Sequence, residues 1–197
     1  MMKWRVEREN KVKNKINIKI VLLMLIGIML LLTGCENLNQ EAENNGDTEA
    51  EKYIKSNYGS FELPKGLEKN KEHSTRIKQF YVLEEDKEKS KPNNISINGG
   101  TTPYSKDNHM AFRQDVLKQI GNQSAGRVVN INCNGTNTKN GDTLYIFTMK
   151  ESGSTTTQYY IVGDKKYFLV HETTFDDDTE KIDQKTKEIV DSFKWNV

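Results

Sequence analysis

The chain has 197 residues, with 29 basic and 28 acidic side chains and a formal net charge of +1. This length fits about one domain with a conventional hydrophobic core. The balanced charge excludes a strongly basic nucleic-acid-binding protein. Its two cysteines are too few for the disulfide framework of small secreted domains.

The N-terminal segment has the features of a secretory signal peptide. Seven basic residues precede an uncharged run of thirteen residues, 20–32, in which only Gly27 interrupts the large apolar side chains. Signal peptides have an apolar stretch of roughly 7–15 residues, whereas a membrane-spanning helix needs about 20. The basic residues should hold the N-terminus in the cytoplasm while the rest of the chain crosses the membrane. Residues 1–34 are therefore predicted to be a signal peptide.

The apolar run ends in the sequence LTGC at residues 32–35, which resembles the lipobox of bacterial lipoproteins. In that family the cysteine thiol carries diacylglycerol, and the chain is cut just before the cysteine. Two alternatives are an ordinary signal peptide that has a cysteine near its end, and a retained transmembrane anchor. We expect Cys35 to be lipidated and to hold the protein in the bilayer, on the extracytoplasmic face of the cell membrane.

Cleavage before Cys35 changes the charge of the remaining chain. The first 34 residues contain seven of the 29 basic and two of the 28 acidic residues, so 22 basic and 26 acidic residues remain and the net charge is −4. We therefore expect no nucleic-acid partner. Residues 35–57 are acidic, and the first part of this segment contains almost no large apolar side chains. We therefore expect the segment to form a disordered tether. The globular domain is predicted to span 58–197.

Three β-rich runs open this domain, and a helical pattern follows them. The runs are residues 58–64, 75–85 and 93–99. In residues 105–121, Phe112, Val116 and Ile120 recur at a spacing of four, which predicts an amphipathic helix that ends near Gly121.

The second half contains four more predicted strands and a final helix. The strands are residues 126–133, 142–150, 156–162 and 166–172, and the helix is 178–193. Residues 134–141, rich in Asn, Gly and Thr, are predicted to be a hairpin loop. In 142–150, Leu144 and Ile146 share one face and Tyr145 and Phe147 the other, so both faces of this central strand need a cover.

This order of elements predicts an α+β fold. Sequential strands with short connections pair antiparallel, and the sheet should have about six to seven strands. The helices at 105–121 and 178–193 should lie on opposite faces of the sheet, with Phe112 and Phe193 buried beneath them.

Several segments resemble small Gram-positive lipoproteins with a PsbP-like domain. The similar segments are FELPKGLE, NNISINGG, YSKDNHMAFRQDVLKQIG, TTQYYIVGDKKYFLVHETTF and KTKEIVDSFKW, within roughly 58–195. The resemblance is to the accessory proteins of the photosystem oxygen-evolving complex, and it implies a central antiparallel sheet sandwiched by helices. Members of this broad family are mostly non-enzymatic and have varied roles, so the resemblance assigns no functional residue.

Residue types that often carry catalysis or bind metals are scattered in this sequence. His73, His109 and His171 show no metal-binding spacing, and Cys133 has no charged neighbour in sequence to activate it. The acidic run at 175–183 lacks the glycine and terminal glutamate of a calcium loop. We expect packing and capping roles for these residues, no catalytic residue, no metal and no cofactor.

Aromatic residues of the second half are the remaining candidates for a functional surface. Most should form the sheet core, but any that stay exposed would offer a partner surface. The candidates are Tyr145, Phe147, Tyr159 and Tyr167. The sequence thus favours a non-enzymatic binding or accessory module for another, unidentified protein of the cell envelope. The alternative is a protective lipoprotein that confers immunity to a toxin or excludes a conjugation system.

Overall fold

A seven-stranded antiparallel sheet forms the centre of the fold. The computed structural model describes residues 53–124, 129–175 and 179–196, which all lie in one compact unit, Asn39–Val197. The predicted signal peptide, Cys35 and the tether up to residue 52 lie outside the described residues. The strands of the large sheet are β3 (Leu67–Lys69), β4 (Gln79–Leu83), β5 (Asn94–Thr101), β6 (Asn130–Asn137), β7 (Thr143–Glu151), β8 (Ser154–Val162) and β9 (Lys166–Thr174).

The strand order is β3-β4-β5-β9-β8-β7-β6, and every neighbouring pair is antiparallel. From β6 to β9 consecutive strands are neighbours, as expected for strands joined by short turns. The long connection between β5 and β6 contains the helix α1 (His109–Gln123), which a short 3-10 turn, Lys106–Asn108, precedes. A second 3-10 turn, Glu84–Asp86, follows β4, and the helix α2 (Glu180–Ser192) follows β9. The predicted α+β class is confirmed.

The two helices cover opposite faces of the sheet, as predicted. Phe112 of α1 packs in a cluster with Tyr145, whereas Ile189 of α2 packs in a second cluster with Leu144. Because adjacent residues of a strand point to opposite faces, Leu144 and Tyr145 place these clusters on the two sides of β7. Phe193, just after α2, is buried in the α2 cluster.

A small second sheet joins the two ends of the described domain. It contains β1 (Tyr53–Lys55), β2 (Gly59–Glu62) and β10 (Lys194–Trp195), in the order β1-β2-β10. Ile54 packs against the α2 cluster, and the Asn196 amide nitrogen Nδ2 donates to the Ser56 carbonyl at 3.0 Å. Residues 53–57 therefore belong to the fold, although the sequence predicted that the tether extends to residue 57. Apolar burial of Ile54 explains the difference.

The strand β6 also differs from the prediction. Residues 134–137 belong to a strand that pairs with β7 over eight positions, although the sequence predicted a loop there. This strand lies at the edge of the sheet, and most of its side chains are exposed or half-buried. Its Asn and Thr residues suit a solvated edge, which is why the hydrophobic pattern gives no strand signal.

No helix in the described part of the chain is long and apolar enough to cross a lipid bilayer.

Candidate functional site

An open groove of about 690 Å³ runs beside α2, over the same face of β6, β7, β8 and the end of β9. The groove exists because α2 lies over β9 and β5 of the large sheet and over β2 of the small sheet. The strands at the β6 edge of the large sheet are left without a helix above them. The strands change character along this face. The face is apolar where Leu144 of β7 pairs with Ile161 of β8. Four residues further along the same two strands, the pair on this face is polar and consists of Thr148 and Thr157. This alternation builds a groove with an apolar end and a polar end.

Glu172 is the principal ionisable group of the polar end. It lies opposite Thr157 on the neighbouring strand, and only 3% of its surface is exposed. Its oxygen Oε2 is buried and receives no hydrogen bond from the described residues. A buried carboxyl group without donors is costly in its charged form, so this side chain favours the protonated state.

The helix α2 adds a second carboxyl group beside Glu172. Asp183 lines the groove together with Glu172, and its negative charge disfavours ionisation of Glu172. Burial, together with the neighbouring Asp183, raises the pKa of Glu172 to about 8, although the nearby Thr186 hydroxyl acts in the opposite direction. Thr186 is fully buried, and its hydroxyl makes no hydrogen bond of normal geometry. Glu172 therefore holds its proton at neutral pH.

Tyr159 lines the groove from β8, close to both carboxyl groups. Its side chain is half-buried. Burial raises the pKa of the phenol, and the charges of Glu172 and Asp183 raise it further, so the hydroxyl stays protonated. The hydroxyl can both donate and accept a hydrogen bond.

The other end of α2 carries a charged network at the groove. Lys187 and Lys139 contact the same carboxylate oxygen of Asp191, at 2.9 Å and 3.0 Å. Partial burial of Asp191 opposes ionisation, but these two lysines hold its pKa below the usual range. Near the start of α2, the Thr179 hydroxyl donates to Asp183 at 2.7 Å. These contacts fix the acidic side chains that border the groove.

The structure buries three of the four aromatic residues that the sequence offered as candidates for a partner surface. Tyr145, Phe147 and Tyr167 are at most 5% exposed and pack beneath α1, because the helix covers this face of the sheet. They offer no exposed surface to a partner. Of the four predicted residues, Tyr159 alone lines the groove.

His109 and His171 lie in different surroundings. His109 Nδ1 and the Tyr145 hydroxyl form a hydrogen bond of 2.6 Å at the start of α1. His171 is buried on the α1 side of the sheet, where Gln158 Nε2 lies 3.4 Å from its Nδ1 atom. Burial and the charge of Lys78 lower the pKa of His171 to about 4. His171 is therefore neutral at physiological pH.

Cys133 has a charged neighbour that its sequence environment does not reveal. Arg113 of α1 donates from Nε to the Cys133 sulfur at 3.2 Å. The two residues are 20 positions apart, so only the packing of α1 on β6 brings them together. Across the ranges 53–124, 129–175 and 179–196, no cluster of three or more His, Cys, Asp or Glu side chains could hold a metal ion. Part of the acidic run, 176–178, lies outside the described residues.

Neither Glu172 nor Asp183 was predicted from the sequence to be a site residue. A signal is present in β9, where Glu172 follows Phe168 and Val170 at a spacing of two and so lies on a buried face. A carboxyl group at such a position must find a partner or bind a proton. The partner cannot be read from the sequence, because the angle at which α2 crosses the sheet selects Asp183.

Comparison with known proteins adds one likeness in structure. No protein-family model matches the sequence, and no curated protein matches it. The structure is similar to the solution structure of cyanobacterial PsbP (CyanoP) from Synechocystis sp. PCC 6803, with a TM-score of 0.49 and 13% sequence identity. The match covers 84% of this chain and 99% of that chain. This likeness concerns the fold alone.

Proposed function

We propose that this protein is a lipoprotein of the cell membrane, lipidated at Cys35, that acts on the extracytoplasmic face as a non-enzymatic binding or accessory module. The observation that carries the proposal is the open groove beside α2, which gathers polar side chains from four strands and a helix. Binding sites for small groups commonly combine an apolar wall with a few convergent polar atoms. The groove has this composition, with Leu144 and Ile146 at one end and Glu172 and Asp183 at the other.

The sequence supports the membrane anchor. The lipobox-like LTGC follows a basic segment and an apolar run of signal-peptide length. Two or three acyl chains, at about 0.8 kcal/mol for each buried CH₂ group, would hold the protein firmly in a bilayer. The partner would therefore be another component of the cell envelope.

The anchor is tested at Cys35 itself. We expect Cys35→Ser to leave an uncleaved precursor without acyl groups, because the hydroxyl cannot form the thioether. Intact-mass spectrometry of both proteins measures this. A wild-type chain that has a free thiol at Cys35, or that begins at another residue, would contradict the anchor.

Binding by the groove is tested with a photo-reactive amino acid in intact cells. The probe is placed at Thr148, which lines the groove, and the matched control carries it at Gln114, exposed on α1 and so on the other side of the sheet. We expect illumination to link the Thr148 probe to one envelope component of defined mass, while the Gln114 probe gives no such product.

Substitution of a groove residue provides the specificity control. Thr157→Arg places a long charged side chain on the floor of the groove and should abolish the cross-link from position 148. Equal cross-linking from both probe positions, or none from position 148, would overturn the assignment of the groove as the binding surface.

A further inference from the structure

The polar end of the groove contains an arrangement that goes beyond a general binding surface. Two carboxyl groups, those of Glu172 on β9 and Asp183 on α2, line this end together with Tyr159 of β8, and Glu172 holds a proton at neutral pH. Glu172 is almost completely buried, and its Oε2 atom receives no hydrogen bond from the described residues. Oxygen atoms from three elements thus converge at this end, and the Oε2 atom of Glu172 lacks a donor among the described residues.

We propose that the groove binds a primary ammonium group, held by the carboxyl groups of Glu172 and Asp183 with the Tyr159 hydroxyl as a further acceptor. This inference rests on the proposed function, because it names the chemistry that the groove recognises. An ammonium group brings one positive charge and three N–H donors. It therefore replaces the proton of Glu172 and also supplies a donor to the Oε2 atom of that residue.

The apolar end of the groove specifies what the ammonium group is attached to. Leu144, Ile146 and Val190 line the groove together with the carboxyl pair. An alkyl chain can lie along these side chains while its charged end reaches Glu172, as lysine side chains commonly do on protein surfaces. The ligand is therefore an alkylammonium, either a free amine or the lysine side chain of a protein partner.

A metal ion fits this position less well than an ammonium group. Calcium takes 6–8 oxygen ligands, and no cluster of three or more metal-binding side chains occurs within the described ranges. A guanidinium group is flat and favours a fork-like pair of acceptors, whereas the acceptors here come from three separate elements.

Binding should release a proton, because Glu172 must ionise to receive the cation. The charged group that acts on Glu172 is Asp183, whose negative charge attracts the ligand. Among the other groups of the groove, Lys150 comes from β7, and Lys187 of α2 is paired with Asp191 at 2.9 Å. On the opposite side of β9, the partner of Glu172 in β5 is the uncharged Ile95. The proton on Glu172 passes to the buffer when the ammonium group binds.

The test uses the purified full chain in detergent and isothermal titration calorimetry. The probes are butylamine, trimethylbutylammonium (the same charge without N–H donors), butylguanidine and calcium chloride. We expect saturable binding of butylamine with release of up to one proton, measured from heats in buffers of different ionisation enthalpy. The affinity should rise as much as tenfold per pH unit between pH 6 and 8 and level off above, while trimethylbutylammonium binds at least tenfold more weakly.

Two variants and two peptides complete the design. Glu172→Gln should weaken butylamine binding at least tenfold and remove the proton release, whereas Glu188→Gln, a carboxyl on α2 outside the groove, should change neither. A short peptide that contains one lysine is compared with the same peptide acetylated at that lysine. Much tighter binding of the lysine peptide than of butylamine would identify a protein partner, and equal affinity would identify a free amine.

Three results would overturn the ammonium site. They are unchanged binding in Glu172→Gln, equal binding of trimethylbutylammonium, and preferential binding of calcium or butylguanidine. If Glu172→Gln fails to fold, the wild-type pH dependence and proton release still decide the question. A cross-link at position 148 that persists in Glu172→Gln would leave the proposed function standing while the ammonium site fails.

Discussion

At the scale of single residues, two buried ionisable side chains of β9 respond to pH in opposite ways. Glu172 keeps its proton in the folded protein up to about pH 8, whereas the unfolded chain releases it near 4.5. Its contribution to stability is therefore present below pH 4.5 and is lost as the pH rises towards 8. His171 is neutral in the folded protein down to about pH 4, against 6.5 in the unfolded chain. Its contribution is present above pH 6.5 and is lost as the pH falls towards 4.

The range between pH 6.5 and 8 isolates the effect of Glu172. There we expect the free energy of unfolding to fall by up to about 1.4 kcal/mol per pH unit in the wild type. Glu172→Gln imitates the protonated acid and should remove this slope, whereas Glu188→Gln should keep it. Urea denaturation at several pH values measures the three slopes. A slope unaffected by Glu172→Gln would mean that Glu172 is already ionised in the folded protein.

A close contact at Gly59 allows a second test at this scale. A Cβ atom at this position would lie 2.5 Å from the ring of Phe193, which is buried. Overpacking of this kind typically costs about 1–3 kcal/mol. We therefore expect Gly59→Ala to lower the free energy of unfolding by about this amount.

The control for Gly59→Ala is Gly121→Ala. Gly121 lies in α1, and a Cβ atom there would meet nothing within 4 Å. Alanine favours a helix by about 0.8–1 kcal/mol over glycine, so this change should stabilise the protein. Chemical denaturation of the two variants compares them directly. A neutral Gly59→Ala variant would show that β2 and Phe193 can move apart at little cost.

At the scale of elements, each helix should contribute to stability through one aromatic side chain. Phe193 stacks on Phe168 with ring centroids 4.0 Å apart, and Phe112 contacts Tyr160 at 5.5 Å on the other face. Truncation of a buried phenylalanine to alanine costs about 3–5 kcal/mol. We therefore expect Phe193→Ala and Phe112→Ala each to lower the denaturation midpoint strongly.

The control for these two truncations is Ile77→Ala, because Ile77 is 55% exposed. This variant should keep a midpoint close to that of the wild type. If Phe112→Ala behaves like the control, the cover that α1 provides over its face of the sheet contributes little to stability.

The sequence pattern predicted the two helices and their faces well, because a buried stripe repeats within a single segment. Phe112, Val116 and Ile120 are buried as the spacing indicated. The short strands β1, β3 and β10 were not predicted, since two or three residues carry too little pattern. The same reason explains the candidate site. Glu172 and Asp183 meet through the packing of α2 on the sheet, which no local pattern contains.

At the scale of the whole molecule, the small sheet of β1, β2 and β10 ties the beginning of the domain to its end. The Ser56 hydroxyl accepts a hydrogen bond from the Gly59 amide at 3.1 Å. The backbone amide of Asn196 donates a hydrogen bond to the Tyr58 carbonyl at 3.0 Å. These contacts make residues 53–57 part of the fold.

Truncation from the N-terminus tests this. We expect a soluble protein that begins at residue 58 to melt several degrees lower than one that begins at residue 53, because it lacks β1 and the buried part of Ile54. Differential scanning calorimetry measures the two melting temperatures. Equal values would show that β1 adds nothing to the domain and would restore residue 57 as the end of the tether.

The strand β1 also determines how the domain responds to mechanical load. It pairs with β2 over three positions in a hairpin. A pull on the chain ahead of Tyr53, with the rest of the domain held, separates the open ends of this hairpin, so its pairs break one after another. Release of residues 53–58 lengthens the chain by about 20 Å, at roughly 3.3–3.6 Å per residue. The load then reaches β2, which is still paired with β10, so β1 can detach while the rest of the domain stays folded.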